Sequence, residues 1–355
     1  MRAIVVREPG GPEALVLEDV PPPSLRREDV RIRVEACGVC YHDIVTRNGV
    51  LKRGVKMPLI PGHEVSGIVE SVGPDVRDFR PGDRVATLQR RHICGHCKYC
   101  RNDQETACGE QEFLGDAGLN GGYAELVCVE QDNVALVPES VDLASAAIIA
   151  CAVGSELNAI RDVARLRVGE RVLVNGAGGG LGIHGVQLAR ISGAEVIAVT
   201  SSPHKVEAIR AAGADHVVLY ERGEDFSAKV RALTRGEGVD VAVDNVGSHS
   251  FAAMRRSLAQ RGRWIFIGQL SGDFVQLNPA QLFLRGISIL SAQSTNRRQF
   301  LDCLDLVRRG LVTPIVATEM PLEHAPDAHR LAENATPTGR ILLRPSLRGG
   351  GPRRS

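Results

Sequence analysis

Four cysteines in one short segment restrict the fold of this chain more than any other feature. They are Cys94, Cys97, Cys100 and Cys108, with two successive gaps of two residues and a small loop before the last. Thiolates at this spacing converge on one ion and complete a tetrahedron typical of structural zinc. Because such a site is closed, it leaves no position for a substrate. The pattern therefore predicts a zinc-stapled lobe, with the chemistry located elsewhere in the chain.

Length and charge indicate a globular chain of two domains. The 355 residues are too many for one compact core of ordinary size. Lys and Arg total 43 against 42 Asp and Glu, so almost no net field attracts nucleic acid or an anionic membrane. The sequence shows neither the long apolar region of a signal peptide nor the roughly 20 apolar residues of a membrane span. We expect a cytoplasmic protein with a small-molecule substrate and no nucleic-acid or membrane partner.

The chain contains nine cysteines. Reducing conditions in a cytosolic chain favour metal thiolates over disulfides. Cys37, Cys128 and Cys303 lie in apolar runs and are expected to be core residues, which leaves six for metal binding.

Two patterns of secondary structure follow each other along the chain. Short alternating strands broken by turns, over about residues 30–129, predict a small, mostly antiparallel barrel. A helical stretch covers about residues 143–163. Strands then alternate with amphipathic segments, which predicts a doubly wound parallel sheet of six strands. The predicted strands are residues 171–175, 195–200, 216–219, 240–244, 263–267 and 287–291.

The first of these strands leads into a glycine-rich turn and then a helix. Glycines at 176, 178, 179, 180 and 182 permit close approach of the backbone to a pyrophosphate, and a helix N-terminus offers free amides to it. A lone glycine fingerprint is weak evidence, but here five more strands follow it. The sequence therefore predicts a dinucleotide cofactor.

The end of the second strand bears on which dinucleotide binds. An acidic side chain there would accept hydrogen bonds from the ribose of NAD, yet this chain has none. Instead it offers Thr200, Ser201, Ser202 and Lys205, which suit a 2′-phosphate. We expect NADP(H) in preference to NAD(H), although the same residues could form only a polar helix start.

A second group of metal-binding residue types lies outside the cysteine cluster. Cys40, His63, Glu64 and Cys151 include the two cysteines and one histidine of a catalytic zinc site with an open position. Spacing alone does not assemble them. Taken singly, Cys151 could be a core residue and His63 could cap a turn.

Several motifs in one order resemble those of zinc-containing medium-chain dehydrogenases/reductases, the alcohol dehydrogenase superfamily. They are residues 39–43, 61–64, 94–108, 122–125 and 177–182. The resemblance covers nearly the whole chain and implies a GroES-like catalytic domain, a Rossmann domain, an active site in the cleft between them, and homodimers or homotetramers assembled through the Rossmann domains. The expected ranges are 1–152 for the catalytic domain, 153–292 for the Rossmann domain, 293–346 for a return to the catalytic domain and 347–355 for a disordered tail.

The resemblance also implies residue roles. Cys40, His63 and Cys151 become ligands of a catalytic zinc, with Glu64 an occasional fourth ligand, so that two zinc ions bind per subunit. Asp43 becomes the carboxylate that orients His63. The cofactor contacts expected besides those at the second strand are Ala177, Gly179, Gly180, Leu181, Gly182, Ser155, Asn245, Gly268 and Arg340.

Two departures from the family pattern bear on the substrate. Family alcohol dehydrogenases usually carry Ser or Thr where this chain has His42, although an imidazole can also relay a proton. The segment 89–92 contains Arg90 and Arg91, which are expected to be solvated; if one points inward, the substrate could be acidic or carry phosphate.

Three functions remain open from the sequence. The first is zinc-dependent hydride transfer between NADP(H) and an alcohol, aldehyde or ketone. The second is NADPH-dependent reduction of an activated carbon–carbon double bond, because residues 36–44 and the glycine turn look similar to acryloyl-CoA reductases of the superfamily. The third is a non-catalytic protein that binds zinc and nucleotide.

Overall fold

The computed structural model describes residues 1–50, 55–116 and 118–347. The chain forms two compact units, Met1–Cys151 with Ser294–Ser355, and Ala152–Gln293. Except for Leu347, the predicted disordered tail lies outside the described residues. Within those residues, no helix has both the length and the apolar character needed to cross a membrane.

The described residues contain 17 strands. They are β1 (Arg2–Val5), β2 (Val16–Asp19), β3 (Asp29–Gly38), β4 (Glu64–Val72), β5 (Arg84–Thr87), β6 (Arg90–His92), β7 (Glu112–Phe113), β8 (Leu126–Glu130), β9 (Val134–Leu136), β10 (Arg171–Asn175), β11 (Glu195–Thr200), β12 (His216–Leu219), β13 (Val239–Asp244), β14 (Leu258–Phe266), β15 (Ser288–Ser291), β16 (Val316–Pro321) and β17 (Arg340–Arg344).

The α-helices are α1 (Tyr41–Arg47), α2 (Leu143–Ala146), α3 (Gly154–Leu157), α4 (Gly182–Ile191), α5 (Val206–Ala211), α6 (Ser227–Leu233), α7 (Phe251–Ser257), α8 (Ala280–Phe283), α9 (Arg297–Arg308) and α10 (Ala325–Glu333). Single 3-10 turns lie at Pro12–Ala14, Cys100–Asn102, Glu105–Ala107, Gln131–Asn133, Pro203–Lys205, Ser248–Ser250 and Leu322–His324, and π-helical turns at Ile149–Val153 and Asn158–Val163.

The first unit is built on a sheet of mostly antiparallel strands. Its order is β16-β17-β3-β4-β5-β9, with β8 also paired to β3, and only β16 and β17 run parallel. Alternate side chains of β3, including Val30, Ile32 and Val34, enter a buried apolar core. The last strand, β17, pairs with β3, so the C-terminal segment returns to the sheet of the N-terminal one.

The second unit is a parallel sheet whose order is β12-β11-β10-β13-β14-β15. Near-continuous apolar runs such as β10 and β13 are buried on both faces, as parallel strands require. The chain reverses its direction of winding between β10 and β13, where ligands of doubly wound sheets bind. The predicted fold class, a GroES-like unit and a six-stranded Rossmann sheet, is confirmed.

Local details differ from the sequence expectation in two places. The helical stretch over 143–163 is interrupted, because π-helical turns flank α3. The strand expected at 263–267 begins earlier, at Leu258. Cys37, Cys128 and Cys303 are buried as predicted.

Candidate active site

Four side chains from three separate places in the first unit converge at one point. The ligand atoms of Cys40, His63, Glu64 and Cys151 all lie within 4.8 Å of one another, and all four residues are buried. The register of β3 and β4 pairs Gly38 with Glu64, which carries Cys40 and His63 to the same end of the sheet. The π-helical turn Ile149–Val153 supplies Cys151.

Gly38 shows how tightly this point is packed. A Cβ atom at Gly38 would collide with Glu64 Oε2 and approach Ile148. Glycine is therefore required to make room for the carboxylate. Oε2 has no hydrogen-bond partner among the described residues, while Oε1 accepts a bond of 2.7 Å from Arg340 Nη2. Burial raises the pKa of Glu64 to about 7, against the opposing charge of Arg340.

Arg340 stabilises negative charge across the whole cluster. Besides Glu64, its Nη2 lies 3.4 Å from Cys40 Sγ and 3.7 Å from Cys151 Sγ. Contact with Cys151 lowers the pKa of the Cys40 thiol well below its ordinary value, and the charges of Arg340 and His63 add to that effect. The cluster is thus built to hold a thiolate, the form of cysteine that binds metal.

Asp43 lies behind His63 and fixes its orientation. Its Oδ1 is 3.1 Å from His63 Nδ1, and its Oδ2 accepts the backbone N–H of Cys40 at 3.0 Å. Burial by itself would raise the pKa of Asp43, but the charge of His63 and the hydrogen bond to it lower that pKa below its ordinary value. A carboxylate on Nδ1 leaves Nε2 as the ring atom available to a metal.

His42 packs beside the cluster rather than in it. Its ring centroid is 5.3 Å from that of His63 and 4.9 Å from that of Phe113, and its Nε2 lies 3.2 Å from Asp116 Oδ2. The side chain remains 31% exposed, so a proton on the ring can reach solvent.

The residues of this cluster fit a zinc ion. Two cysteines and one histidine are the ligand set of known catalytic zinc sites, in which a fourth position stays open. The unpartnered Oε2 of Glu64 is a buried acceptor that a cation would satisfy.

The four-cysteine cluster has the dimensions of a closed zinc site. Its Sγ atoms lie 3.9 Å apart for Cys94 and Cys100, 3.6 Å for Cys97 and Cys100, and 3.6 Å for Cys94 and Cys108. A tetrahedron with Zn–S bonds of about 2.3 Å has edges of about 3.8 Å. Backbone N–H groups of Cys97 and Cys100 point at neighbouring sulfurs, and such bonds lower the pKa of Cys97 to about 7. Strands β6 and β7 pair at the base of this loop.

The expectation that Arg90 and Arg91 are solvated is wrong, because both are buried on β6. Arg91 meets the carboxylates of Asp29 at 2.9 Å, Glu112 at 2.6 Å and Glu130 at 3.4 Å. The charge of Arg91 is therefore already neutralised within the unit, and these ion pairs offset the free energy lost when the guanidinium is removed from water.

Arg90 is placed beside the cysteine cluster. Its Nη2 donates to Thr295 O at 2.6 Å, and Glu105 lies 3.8 Å away. Burial lowers its pKa, while Glu105 and the thiols of Cys100 and Cys108 oppose that shift. Arg90 has no exposed surface, and Arg91 is paired within the unit, so neither basic residue of this segment is available to a substrate phosphate.

In the second unit, the glycine turn is built as the sequence predicts. Gly176 has φ of +70°, and a Cβ at Gly182 would collide with Gly176 O. Helix α4 therefore begins in contact with the end of β10. Ala177, Gly179, Gly180 and Leu181 form the turn between them.

The other predicted cofactor residues of this unit follow neighbouring strands of the sheet. Thr200 ends β11, Asn245 follows β13 and Gly268 follows β14. Carboxyl ends of parallel strands meet at one edge, so these residues share an edge with the glycine turn. Ser155 is buried on α3 of the same unit, whereas Arg340 lies in the first unit with the Cys40 cluster.

Lys205 and Arg222 form a positive pair that only the structure reveals. The Lys205 side chain crosses the glycine turn, because a Cβ at Gly178 would lie 2.6 Å from its Cδ. Burial and the nearby charge of Arg222 lower the pKa of Lys205 to about 8. Sequence reasoning missed Arg222, although its position just after the third strand of the sheet is a usable signal.

Glu156 is a second residue that sequence reasoning missed. Both carboxylate oxygens are buried and lack a well-aligned hydrogen-bond donor among the described residues, and a Cβ at Gly185 would lie 2.5 Å from Oε2. Burial raises its pKa to about 7, and the side chain of Asn245 opposes the shift. No sequence pattern marked this residue.

Fold and clusters together define a zinc-binding dehydrogenase. A model of the alcohol dehydrogenase GroES-like domain matches residues 26–139, and a model of zinc-binding dehydrogenases matches residues 180–309. The chain therefore belongs to the zinc-containing medium-chain dehydrogenases/reductases of the alcohol dehydrogenase superfamily.

Relatives carry two kinds of name. The chain is 34% identical over 354 residues to an NAD-dependent alcohol dehydrogenase of Saccharolobus solfataricus, covering 97% of this chain and 100% of the relative. It is 32% identical over 346 residues to an acryloyl-coenzyme A reductase of Sulfurisphaera tokodaii, with the same coverage of 97% and 100%. Among solved structures, AibC matches with a TM-score of 0.90 and 42% identity, covering 98% of this chain and 96% of AibC.

Proposed function

We propose that this chain is a zinc-dependent oxidoreductase that transfers hydride between NADP(H) and an alcohol, aldehyde or ketone. The observation that carries the proposal is the convergence of Cys40, His63, Glu64 and Cys151 within 4.8 Å, with Asp43 behind the imidazole. A bound zinc supplies Lewis-acid polarisation of the substrate oxygen.

The chain's own residues supply binding, orientation and a path for the proton. The Cys40 and Cys151 thiolates and His63 Nε2 would hold the metal, and Arg340 balances the negative charge of the cluster. His42 takes the substrate proton and passes it from Nε2 toward Asp116 Oδ2 and solvent. Glu64 Oε2, a buried acceptor without a partner among the described residues, would be a further ligand atom available to the metal.

Replacing Cys40 with Ser tests the zinc chemistry. Since metal polarisation contributes several kcal/mol, turnover should fall by more than about a hundredfold, while nucleotide binding persists. Cys128→Ser is the matched control, because Cys128 is buried in the same unit outside either metal cluster. Full activity of Cys40→Ser would exclude zinc chemistry. Tight NADPH binding without turnover of any substrate by the native chain would instead support a non-catalytic protein.

The preference for NADP(H) rests on charge at the end of β11. Thr200, Ser201 and Ser202 offer polar groups there, and Lys205 and Arg222 keep two cations close together, which a 2′-phosphate would neutralise. Replacing Arg222 with Gln should lower kcat/KM for NADPH roughly tenfold, the value of one charge-assisted hydrogen bond, and leave that for NADH unchanged. Arg210→Gln, an exposed arginine on the following helix, is the control. Equal loss with both cofactors, or a native preference for NADH, would contradict the proposal.

Reduction of an activated carbon–carbon double bond is the second candidate. It is favoured by the relatives named acryloyl-coenzyme A reductase and by His42 in place of a hydroxyl residue. Arg90 and Arg91 do not support recognition of a substrate that carries phosphate, such as a coenzyme A thioester, since both are buried. A panel of enals, enoyl-CoA thioesters, aldehydes and simple alcohols separates the candidates. Double-bond reduction without alcohol oxidation would replace the first proposal.

We also propose that the chain forms homo-oligomers through β15. This strand ends the sheet order of the second unit and is largely exposed. The side chains of Phe274, Phe283 and Leu284, which lie near β15 in sequence, are largely exposed. Aromatic and aliphatic side chains so exposed are typical of interfaces. Light scattering should give a multimer for the native chain and a smaller species for Phe283→Glu; an unchanged mass would contradict the proposal.

A further inference from the structure

A chain of hydrogen bonds extends from the proposed zinc ligand His63 through the interior of the first unit. Asp43 Oδ2 lies 3.2 Å from Tyr123 Oη, and Tyr123 Oη lies 3.1 Å from His329 Nε2. His329 Nδ1 lies 3.3 Å from Arg47 Nη1. Asp43, Tyr123 and His329 are all fully buried, so water does not compete for these bonds.

Arg47 determines the direction of this chain of bonds. A guanidinium only donates, so His329 Nδ1 must accept. Burial lowers the pKa of His329 to about 4, which keeps the imidazole neutral with one proton. That proton is therefore on Nε2 and is donated to Tyr123 Oη. The hydroxyl hydrogen of Tyr123 is left to be donated to Asp43.

Both carboxylate oxygens of Asp43 accept hydrogen bonds. Its two oxygens receive the Tyr123 hydroxyl and the backbone N–H groups of Cys40 and Gly62, the latter at 3.3 Å. An ionised carboxylate accepts only, so the bond to His63 Nδ1 requires a proton on that nitrogen. The ring tautomer that leaves His63 Nε2 free for a metal follows from this set of donors.

The outer end of this series of hydrogen bonds is Arg47, which contacts two segments that are distant from it in sequence. Arg47 lies at the end of α1 and donates to Glu333 Oε1 at 2.5 Å and to Gly10 O at 3.1 Å. His329 and Glu333 both belong to α10. The helix that follows β16 is therefore linked to the zinc ligand through three successive side chains.

We propose that Tyr123 and His329 are positioning residues for the zinc site: the Arg47–His329–Tyr123–Asp43 series fixes the tautomer and orientation of His63 and thereby raises metal affinity. The proposal rests on zinc binding by Cys40, His63, Glu64 and Cys151, called the Cys40 group from here on. Metal content of the native chain tests that condition separately, because two ions per chain are expected if both clusters bind and one if only the four cysteines do.

The variants distinguish polarity from packing. Tyr123→Phe removes the hydroxyl and keeps the ring. His329→Leu removes both ring nitrogens. His329→Gln is the conservative variant, since its amide oxygen can accept from Arg47 while its NH₂ donates to Tyr123.

Metal affinity is measured by competition with a chelator, and the coordination geometry by the visible spectrum after cobalt substitution. The four-cysteine cluster of the same molecule is the internal control. We expect Tyr123→Phe and His329→Leu to weaken metal binding at the Cys40 group about 10- to 100-fold and to shift its cobalt band, as loss of outer partners of ligating histidines does. His329→Gln should restore most of the affinity, and the four-cysteine cluster should be unchanged.

Three outcomes would overturn the proposal. The first is native affinity and an unaltered cobalt band in Tyr123→Phe and His329→Leu. The second is a His329→Gln variant as weak as His329→Leu, which would indicate packing rather than polarity. The third is equal metal loss from both clusters, which would indicate general loss of structure.

Discussion

The four-cysteine cluster and the Cys40 group both have the residue types of a metal site, but the chain assembles them in different ways. The four-cysteine cluster spans 15 residues of continuous sequence, and its members are mostly partly exposed. The Cys40 group joins residues up to 111 positions apart and is buried throughout. Local spacing builds the first group, whereas the register of β3 and β4 and a π-helical turn build the second.

The two sites obtain their stability from different sources. Short loops cost little closure entropy, so the four-cysteine lobe needs mainly its ion to hold it. A buried group of thiols, imidazole and carboxylate must instead be compensated by the protein. Arg340 balances the charge, Asp43 holds the imidazole, and Gly38 leaves room for Glu64.

The largest expected effect tests the dependence of the lobe on its ion. Cys108→Ser should reduce zinc from two to one per chain and lower the melting temperature by about 10 °C or more, because structural zinc contributes directly to folding. Metal analysis and thermal unfolding measure both quantities. Cys303→Ser, another buried cysteine of the same unit, is the control. An unchanged melting temperature would show that the lobe does not need zinc.

A second prediction concerns compensation by the protein at the Cys40 group. Arg340→Met leaves Glu64 buried without its cation and should lower the free energy of unfolding by about 3–5 kcal/mol. Adding Glu64→Gln should recover part of that loss. Arg344→Met on the same strand removes more exposed pairs with Glu35 and Glu319 and should cost about 1 kcal/mol or less. Denaturant titration measures the free energy of unfolding of all three variants. Equal losses for Arg340→Met and Arg344→Met would contradict the prediction that the buried pair matters more than the exposed pairs.

The smallest expected effect concerns Glu156, a buried acid that has neither a metal cluster nor a cationic partner among the described residues. The pKa of Glu156 is raised by burial from 4.5 to about 7. Between these values the folded chain holds a proton that the unfolded chain has released, so its contribution to stability is present at low pH and is lost as pH rises toward 7. The free energy of unfolding should fall by about 3 kcal/mol across that window.

Glu156→Gln isolates this effect. The variant keeps a neutral side chain of similar shape facing Asn245, so its stability should fall less between pH 5 and 7.5 than that of the native chain. Denaturant titrations at several pH values give the difference in free energy of unfolding between the two proteins. The pH dependence of metal binding is common to both and cancels from that difference. Parallel curves would show that Glu156 is ionised throughout.

The fold was predictable in outline because its signals are local. Apolar runs separated by glycine turns and amphipathic segments marked the strands β10 to β15, and the turn before α4 required glycine for its close approach to the backbone. The interruption of the helix around Cys151 was not predictable, because π-helical turns have no strong sequence preference and depend on packing.

The functional residues divide in the same way. Metal-binding residue types could be found by inspection, and the family motifs suggested which belong together. The prediction for Arg90 and Arg91 was wrong, because a loop arginine is usually exposed. The carboxylates that pair with Arg91 are distant from it in sequence: Asp29, Glu112 and Glu130. Tyr123 lies in the motif 122–125, but that motif did not indicate its link to the zinc site. His329 carried no sequence signal, because the two side chains meet through a bond across 206 residues.

Short spacing and periodicity in the amino-acid sequence were enough to predict the closed cysteine lobe and the succession of strands along the chain. Tertiary structure decided which distant side chains share a charge, a proton or an ion. Hydrogen bonds and ion pairs act over about 3 Å of space and are indifferent to separation along the chain. The Cys40 group, its guanidinium and the buried series behind His63 therefore became visible only when strands and helices were in place.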